Sequence, residues 1–259
     1  MFKPSIITNL IPTVVLAILV IAVWQTVVTV FRLPPILLPS PWAVVVAGWE
    51  SRVELFYGTG VTGAAAVMGF ALSIVIGTLI SAVMSQSLVL RLAMYPYVIL
   101  MQTVPVVAIA PLLVIWSGYE FRTVVLVTLI ISLFPIVNSV TEGLLAIPAD
   151  RLDLFRLYGA SRAQTLWRLR VPTAVNYLML GAKTSAGLAV IGAIVAEFFV
   201  GNGGANYSGL GTLMTGWQTL GRTAQLIAAL CMSTLLGVMM FGSVQLLSRT
   251  VLKRWMSYE

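Results

Sequence analysis

The sequence predicts an all-α, polytopic membrane protein with about six transmembrane helices. Three observations predict it. Hydrophobic residues make up 59% of the 259 residues and charged ones only 9%, against roughly 25% charged in an ordinary soluble domain. The charges are absent from runs long enough to cross a bilayer, and the basic residues fall unequally on the two sides that those runs define.

Residues 4–31, 55–90, 92–119 and 223–248 carry no charged side chain. Each exceeds the ~20 residues that a helix needs to cross ~30 Å of hydrocarbon. Residues 123–141 just reach that length, and 175–200 are equally apolar but contain Lys183 and Glu197. With the amino terminus inside, the cytoplasmic segments hold Lys3, Arg91, Arg151, Arg156, Arg162, Arg168, Arg170, Arg249, Lys253 and Arg254, against Arg32, Arg52, Arg122 and Arg222 outside. That bias predicts both termini in the cytoplasm. The net charge of +7 reflects this asymmetry and contact with anionic lipid, and does not imply nucleic acid. The first span is expected to stay, because its apolar core is too long for a signal peptide and no small-x-small site follows it.

Several chemistries are excluded by composition. With no histidine and a single cysteine, Cys231, there is no His-dependent triad, no Cys/His zinc site and no internal disulfide. Gly181-Ala182-Lys183-Thr184 falls short of a phosphate loop, since alanine precedes the lysine and Tyr177 stands where the first glycine is required. The chain is therefore expected to bind no cofactor and not to hydrolyse ATP by itself.

Taken in order, residues 1–54 form a first transmembrane helix and an external proline-rich loop, and residues 55–259 a core. Leu33-Pro34-Pro35 and Leu38-Pro39-Ser40-Pro41 fix an extended linker. A short interfacial helix is expected over 42–54, with Trp42 and Trp49 suited to the headgroup region. Span two has small residues at Ala65, Gly69, Ser73, Gly77, Ser81 and Ser85, a stripe for close helix packing. Span three contains Pro96, Pro105 and Pro111, and span four Pro135. Each removes a backbone donor, and the freed carbonyls face either protein or a watery cavity. Gln102 and Thr103 beside Pro105, with Asn138 in span four, are candidate linings of a translocation path; kinks for packing alone are an equal alternative.

The segment 142–172 is a cytoplasmic elbow. Pro148 opens a helix, Leu152, Phe155, Leu157 and Tyr158 give it an apolar side, and Gly159 is placed to end it in the left-handed conformation. Ser161 with Gln164 makes a capping box for a second helix, which runs to Pro172 and stops there. A charge run beside a membrane is usually a topology signal; an apolar face closed by a glycine is built to dock.

In span five, Lys183 and Glu197 are fourteen residues apart, hence ~21 Å along the axis, and do not pair. A mid-bilayer charge costs about 2.5 to 3.5 kcal/mol on insertion scales, so both should face protein, water or an interface. Lys183 either snorkels to the cytoplasmic side or lines the path. Glu197, just before Gly201-Asn202-Gly203-Gly204, is either interfacial or part of the path. The sequon Asn206-Tyr207-Ser208 is read as chance.

On these residues the chain, from about 35 to 255, resembles the inner-membrane permease subunits of ABC importers, in the nitrate, sulfonate, taurine and bicarbonate group. The elbow matches the family's Glu-Ala-Ala, three residues, Gly, nine residues, Ile-x-Leu-Pro pattern through Gly159, Leu169, Val171 and Pro172, with Asp153, Leu154 and Phe155 standing where Glu-Ala-Ala is usual. Supporting pieces are Leu38-Pro39-Ser40-Pro41, Val104-Pro105, Ala110-Pro111-Leu112, Phe134-Pro135-Ile136, Ala196-Glu197 and Gly209-Leu210-Gly211. The resemblance implies a type I permease fold in a bacterial or archaeal plasma membrane. It implies a coupling helix at about 148–160, with Asp153, Leu154, Phe155, Gly159, Ala160 and Ser161 meeting a separate ATPase subunit, present in two copies and carrying the ATP and Mg. It further implies a second permease copy as homodimer, an extracytoplasmic binding protein, and no covalent chemistry in this chain. The substrate it implies is a small nutrient, either an anion of the nitrate, sulfonate or taurine kind or a thiamine-precursor pyrimidine or riboflavin-like compound. An ion-coupled secondary transporter is the alternative class; it would show an internal repeat and interrupted helices with carboxylates, of which only Glu197 is present.

Overall fold

The computed structural model describes residues 6–201 and 207–256, with side chains over 11–105, 107–201 and 207–250. Its helices are α1 Ile6–Val30, α2 Pro41–Glu50, α3 Arg52–Met84, α4 Leu88–Thr103, α5 Val106–Ser117, α6 Phe121–Leu145, α7 Ala149–Leu157, α8 Arg162–Thr165, α9 Val171–Val200, α10 Leu210–Thr219 and α11 Thr223–Met256. A π-helical segment, Leu166–Arg170, joins α8 to α9.

The core is the three-helix set α3, α6 and α9, held together through small residues. Every member of the predicted stripe on α3 is buried. A β-carbon on Gly69 would run into Thr128, and one on Gly77 into Ile136. Such close backbone approach replaces the hydrophobic drive that lipid cannot supply. Ser81 Oγ donates across the interface to the Val137 carbonyl at 3.0 Å, and Ser185 Oγ to the Ser132 carbonyl at 2.8 Å. The polar groups beside Pro135 are thus met by protein, which makes that kink a packing device.

The pairing of contacts fixes the direction of each helix. Positions 69 and 77 of α3 meet 128 and 136 of α6, so these two run parallel; Gly181 and Gly192 of α9 meet Pro135 and Thr128 of α6, so α9 runs antiparallel to them. The chain between α3 and α6 therefore returns to the far side of the bundle. Residues 92–119, expected as one kinked span, instead form α4 and α5, which meet at 100°. Pro105 has no N–H to extend α4 and forces Val104 to extended angles (φ −71°, ψ 124°), while Pro105 itself becomes the N-cap of α5. Because the return is needed, this pair is one broken crossing, and with the five long helices it completes six.

Pro172 does not stop the second elbow helix as expected. It lies in the first turn of α9, because the wider π turn over Leu166–Arg170 carries the preceding carbonyls clear of the proline ring. Helix runs on from Arg162 to Val200. The short helix expected before span two is α2, capped by Ser40 Oγ accepting from the Ala43 N–H. Trp42 and Trp49 are exposed, and the Arg52 guanidinium lies 5.0 Å from the Trp49 ring. Trp24 of α1 donates to the Pro39 carbonyl at 3.1 Å, tying the otherwise exposed first helix to the proline-rich loop.

Candidate functional site

The elbow folds by local grammar. After Pro148, α7 places Asp150 in its first turn and Arg156 in its last, both favourable to the helix dipole. It ends in a Schellman motif: Gly159 takes φ +66°, its N–H donates to the Arg156 carbonyl, and the Ala160 N–H donates to the Phe155 carbonyl, both at 3.0 Å. The capping box follows at once. Gln164 N–H donates to Ser161 Oγ at 3.2 Å, and Ser161 N–H to Gln164 Oε1 at 2.8 Å. The ion pair of Arg156 with Asp153, 3.1 Å and exposed, adds little.

The apolar side of α7 is divided differently from expectation. Leu152 and Phe155 are half-buried, whereas Leu154, Leu157 and Tyr158 are exposed; Leu154, Phe155 and Tyr158 line one groove with Ala160, Gln164 and Arg168. Leu157 is 84% exposed and Tyr158 82%. Spacings of three and four residues put these three on one face, an apolar surface at the tip of the molecule that its own fold leaves uncovered.

Glu197 does not line a path: it is fully buried against protein, with an exposed fraction of 0%. Its carboxylate accepts from Thr62 Oγ1 at 2.9 Å, Tyr207 Oη at 2.9 Å and the Gly211 N–H at 2.8 Å, while Thr62 Oγ1 accepts from the Leu210 N–H at 2.8 Å. One carboxylate therefore clasps α3, α9, the start of α10 and the segment before it. A buried carboxylate is tolerated where donors surround it in this way. Thr62, Tyr207 and Gly211 were missed from the sequence, as Thr62 lies 135 residues away; Gly209-Leu210-Gly211 was the only local signal. Residues 202–206, with Asn202, Gly203 and Gly204 of the Gly-rich run and Asn206 of the sequon, lie outside the described residues.

Lys183 is half-buried on α9 and belongs to neither of the ion pairs formed among the described residues. It stands thirteen residues from Arg170 and fourteen from Glu197, about 20 Å from each. That places it between the two ends of its span, which begins earlier than residue 175. Gln102, Thr103 and Pro105 are exposed at the α4–α5 break, with Thr103 Oγ1 donating to its own helix at the Leu100 carbonyl. Asn138 is not joined to them. It donates to Glu142 Oε1 at 2.9 Å and accepts from Tyr95 Oη at 3.4 Å. Tyr95 and Glu142 were not singled out from the sequence, though Tyr95 and Gln102, seven residues apart, share one face of α4.

These features agree with what the chain is similar to. The family model described as binding-protein-dependent transport system inner membrane component matches residues 69–253. The formylaminopyrimidine transport permease protein ThiX of Halalkalibacterium halodurans is 34% identical over 220 residues, 84% of this chain and 86% of the relative. The riboflavin transport system permease protein RibX of Chloroflexus aurantiacus is 31% identical over 239 residues, 92% and 87% of the two chains. The putative aliphatic sulfonates transport permease protein SsuC of Bacillus subtilis is 26% identical over 242 residues, 93% and 86%. With its membrane-spanning helices and a match over most of its length, the chain belongs to the family of binding-protein-dependent transport system inner membrane components, the permeases of ABC transporters.

Proposed function

We propose that this chain is the non-catalytic, membrane-spanning subunit of an ATP-driven importer, working with a separate ATPase that binds the ATP and Mg, a second copy of itself and an external solute-binding protein. The observation that carries the proposal is the elbow: Leu154, Leu157 and Tyr158 form an uncovered apolar face on a short helix whose end is fixed by Gly159, in the segment that matches the family motif. Nucleotide-driven closure of the ATPases moves two such elbows together and shifts the permeases between inward-open and outward-open states. Asp153, Ala160 and Ser161 complete the contact surface.

The path runs past Lys183, a charged side chain half-buried on α9, together with the neutral polar groups Tyr95, Gln102, Thr103 and Asn138. A charged residue at that depth faces protein or water. An ammonium offers three donors and no acceptor, which suits a substrate rich in acceptors: the oxygens of a sulfonate or nitrate, or the ring nitrogens and carbonyls of a pyrimidine or flavin. The names of the relatives span both kinds. The test is reconstitution with the cognate ATPase and binding protein, followed by uptake of formylaminopyrimidine, riboflavin, an aliphatic sulfonate, taurine and nitrate in turn. ATP-dependent accumulation of one of them, abolished when the ATPase is omitted, is the expected result; ion-gradient-driven uptake by this chain alone would overturn the proposal.

A further inference from the structure

At the cytoplasmic end of the bundle, on the orientation proposed above, a cleft is lined by Gln86, Leu152, Arg156, Ala160, Arg162, Thr165 and Arg170. Three guanidinium groups line it and no carboxylate does. Asp153, outside the lining, pairs with Arg156. Arg170 donates through Nη1 to the Ser85 carbonyl at the end of α3, which fixes the group in place and occupies one of its five donors. Arg156 and Arg91 both lie close enough to repel it. Of the three that line the cleft, Arg162 and Arg170 have no carboxylate partner among the described residues.

Depth and direction indicate what supplies a counter-ion. From Thr62, at the level of the Glu197 clasp, to Ser85 is 23 residues of α3, about 35 Å. With the clasp at one boundary of a ~30 Å hydrocarbon layer, Ser85 and Arg170 fall just beyond the other, at the headgroups. Trp167, 69% exposed, lies among the same arginines, as aromatic residues do at that level. Leu88, Val89 and Leu92, all exposed, begin directly after Gln86. Most of the cleft lies across α7 from the proposed ATPase surface, with which it shares Ala160. At 100° per residue, Leu152 and Arg156 occupy one side of α7, and Leu154, Leu157 and Tyr158 the opposite side.

We propose that this cleft binds the phosphate of an anionic phospholipid, with Arg156, Arg162 and Arg170 as donors and Thr165 and Gln86 at its edge. The acyl chains lie along the exposed apolar start of α4. Basic pockets between membrane helices on the cytoplasmic side suit anionic headgroups, and guanidinium binds phosphate through paired donors. The lipid then links α3, α7 and the base of α9, so that the elbow is seated on the membrane surface as well as on the bundle.

The full-length chain in neutral detergent is titrated with short-chain phosphatidylglycerol, short-chain phosphatidylcholine or inorganic phosphate, and occupancy is read by native mass spectrometry. Phosphatidylglycerol is expected to bind in preference to phosphatidylcholine, and inorganic phosphate to compete only weakly. Each arginine removed should weaken phosphatidylglycerol about fivefold, and Arg156→Gln with Arg162→Gln together about 30-fold. Both residues are exposed, so the double variant should fold; Arg156→Lys with Arg162→Lys should recover most of the binding. Unchanged phosphatidylglycerol affinity in the glutamine variant would overturn the site. Equal affinity for phosphatidylcholine, or tight binding of inorganic phosphate itself, would overturn the lipid as its ligand. If the glutamine variant kept its lipid but lost a co-purifying ATPase, the arginines would belong to a protein contact and the proposal would fail, with the importer reading intact.

Discussion

At the scale of single residues, the two intramembrane charges have opposite roles because of what surrounds them. Every contact of Glu197 is a donor, and one of them, the Gly211 N–H, is fixed in the backbone and cannot turn to accept. Glu197→Ala leaves three buried donors without partners, at about 1 to 3 kcal/mol each, so the purified protein should lose at least about 3 kcal/mol of stability. Glu197→Gln can place its amide oxygen on Gly211 and its NH2 towards the hydroxyls of Thr62 and Tyr207, which can rotate to accept; it should cost less than about 1.5 kcal/mol. Thermal unfolding in detergent checks this. Equal losses from both variants would mean that the charge, and not the set of acceptors, holds the clasp. Lys183, half-buried and unpaired by any carboxylate among the described residues, is different. Lys183→Met removes an insertion cost of about 2.5 to 3.5 kcal/mol, so levels in the membrane should hold or rise. If it lines the path, the apparent affinity for the transported solute should fall by about tenfold or more. Unchanged affinity would return it to a packing role.

At the scale of elements, the elbow tests how a short helix is aimed. Gly159 ends α7 at φ +66° with no atom near enough to obstruct a β-carbon, so the only penalty of a side chain there is conformational. Gly159→Val should cost about 1 to 2 kcal/mol or more and misdirect α7, whereas Gly159→Asn, which tolerates the left-handed region, should be nearly silent. Co-purification of the ATPase should fall for valine and persist for asparagine, with both proteins at normal levels in the membrane. Loss in both would point to a packing role at Gly159 that the open space around it does not support. The elbow was legible in the sequence because its signals are local: Pro148, Gly159, Ser161 and Gln164 act within a few residues of themselves. The failures lie where a distant element or an unusual turn decides. Pro172 was expected to stop a helix, and the π turn before it lets the helix continue. Pro105 was one of three prolines in span three, yet only there does the chain break, since Pro96 and Pro111 remain inside α4 and α5. The Glu197 clasp was invisible because its partner Thr62 reads in sequence as one more polar residue of an apolar span.

At the scale of the whole molecule, packing separates the two ends of the bundle, and charge predicts which one faces inward. Arg170 binds the Ser85 carbonyl and Glu197 binds Thr62, so α3 has the elbow at one end and the clasp at the other. Thr223 Oγ1 donates to the Ile36 carbonyl at 2.6 Å, which places the proline-rich loop beside the start of α11, a helix whose second turn packs with α2 through Ala228. The elbow end gathers Arg91, Arg151, Arg156, Arg162, Arg168 and Arg170, and the loop end has Arg32, Arg52 and Arg222. Basic residues in short loops are retained in the cytoplasm, so the elbow end should face inward, where an ATPase can reach it. In a protein with Cys231→Ser, a single cysteine at Ser161 should react with a membrane-impermeant maleimide only after the cytoplasmic face is opened, and one at Leu37 should react in intact cells. Both positions are exposed, so a lack of reaction reports sidedness and not burial. Reversed labelling would put the elbow outside, beyond the reach of any ATP-driven partner, and the orientation and the coupling assignment would fall together.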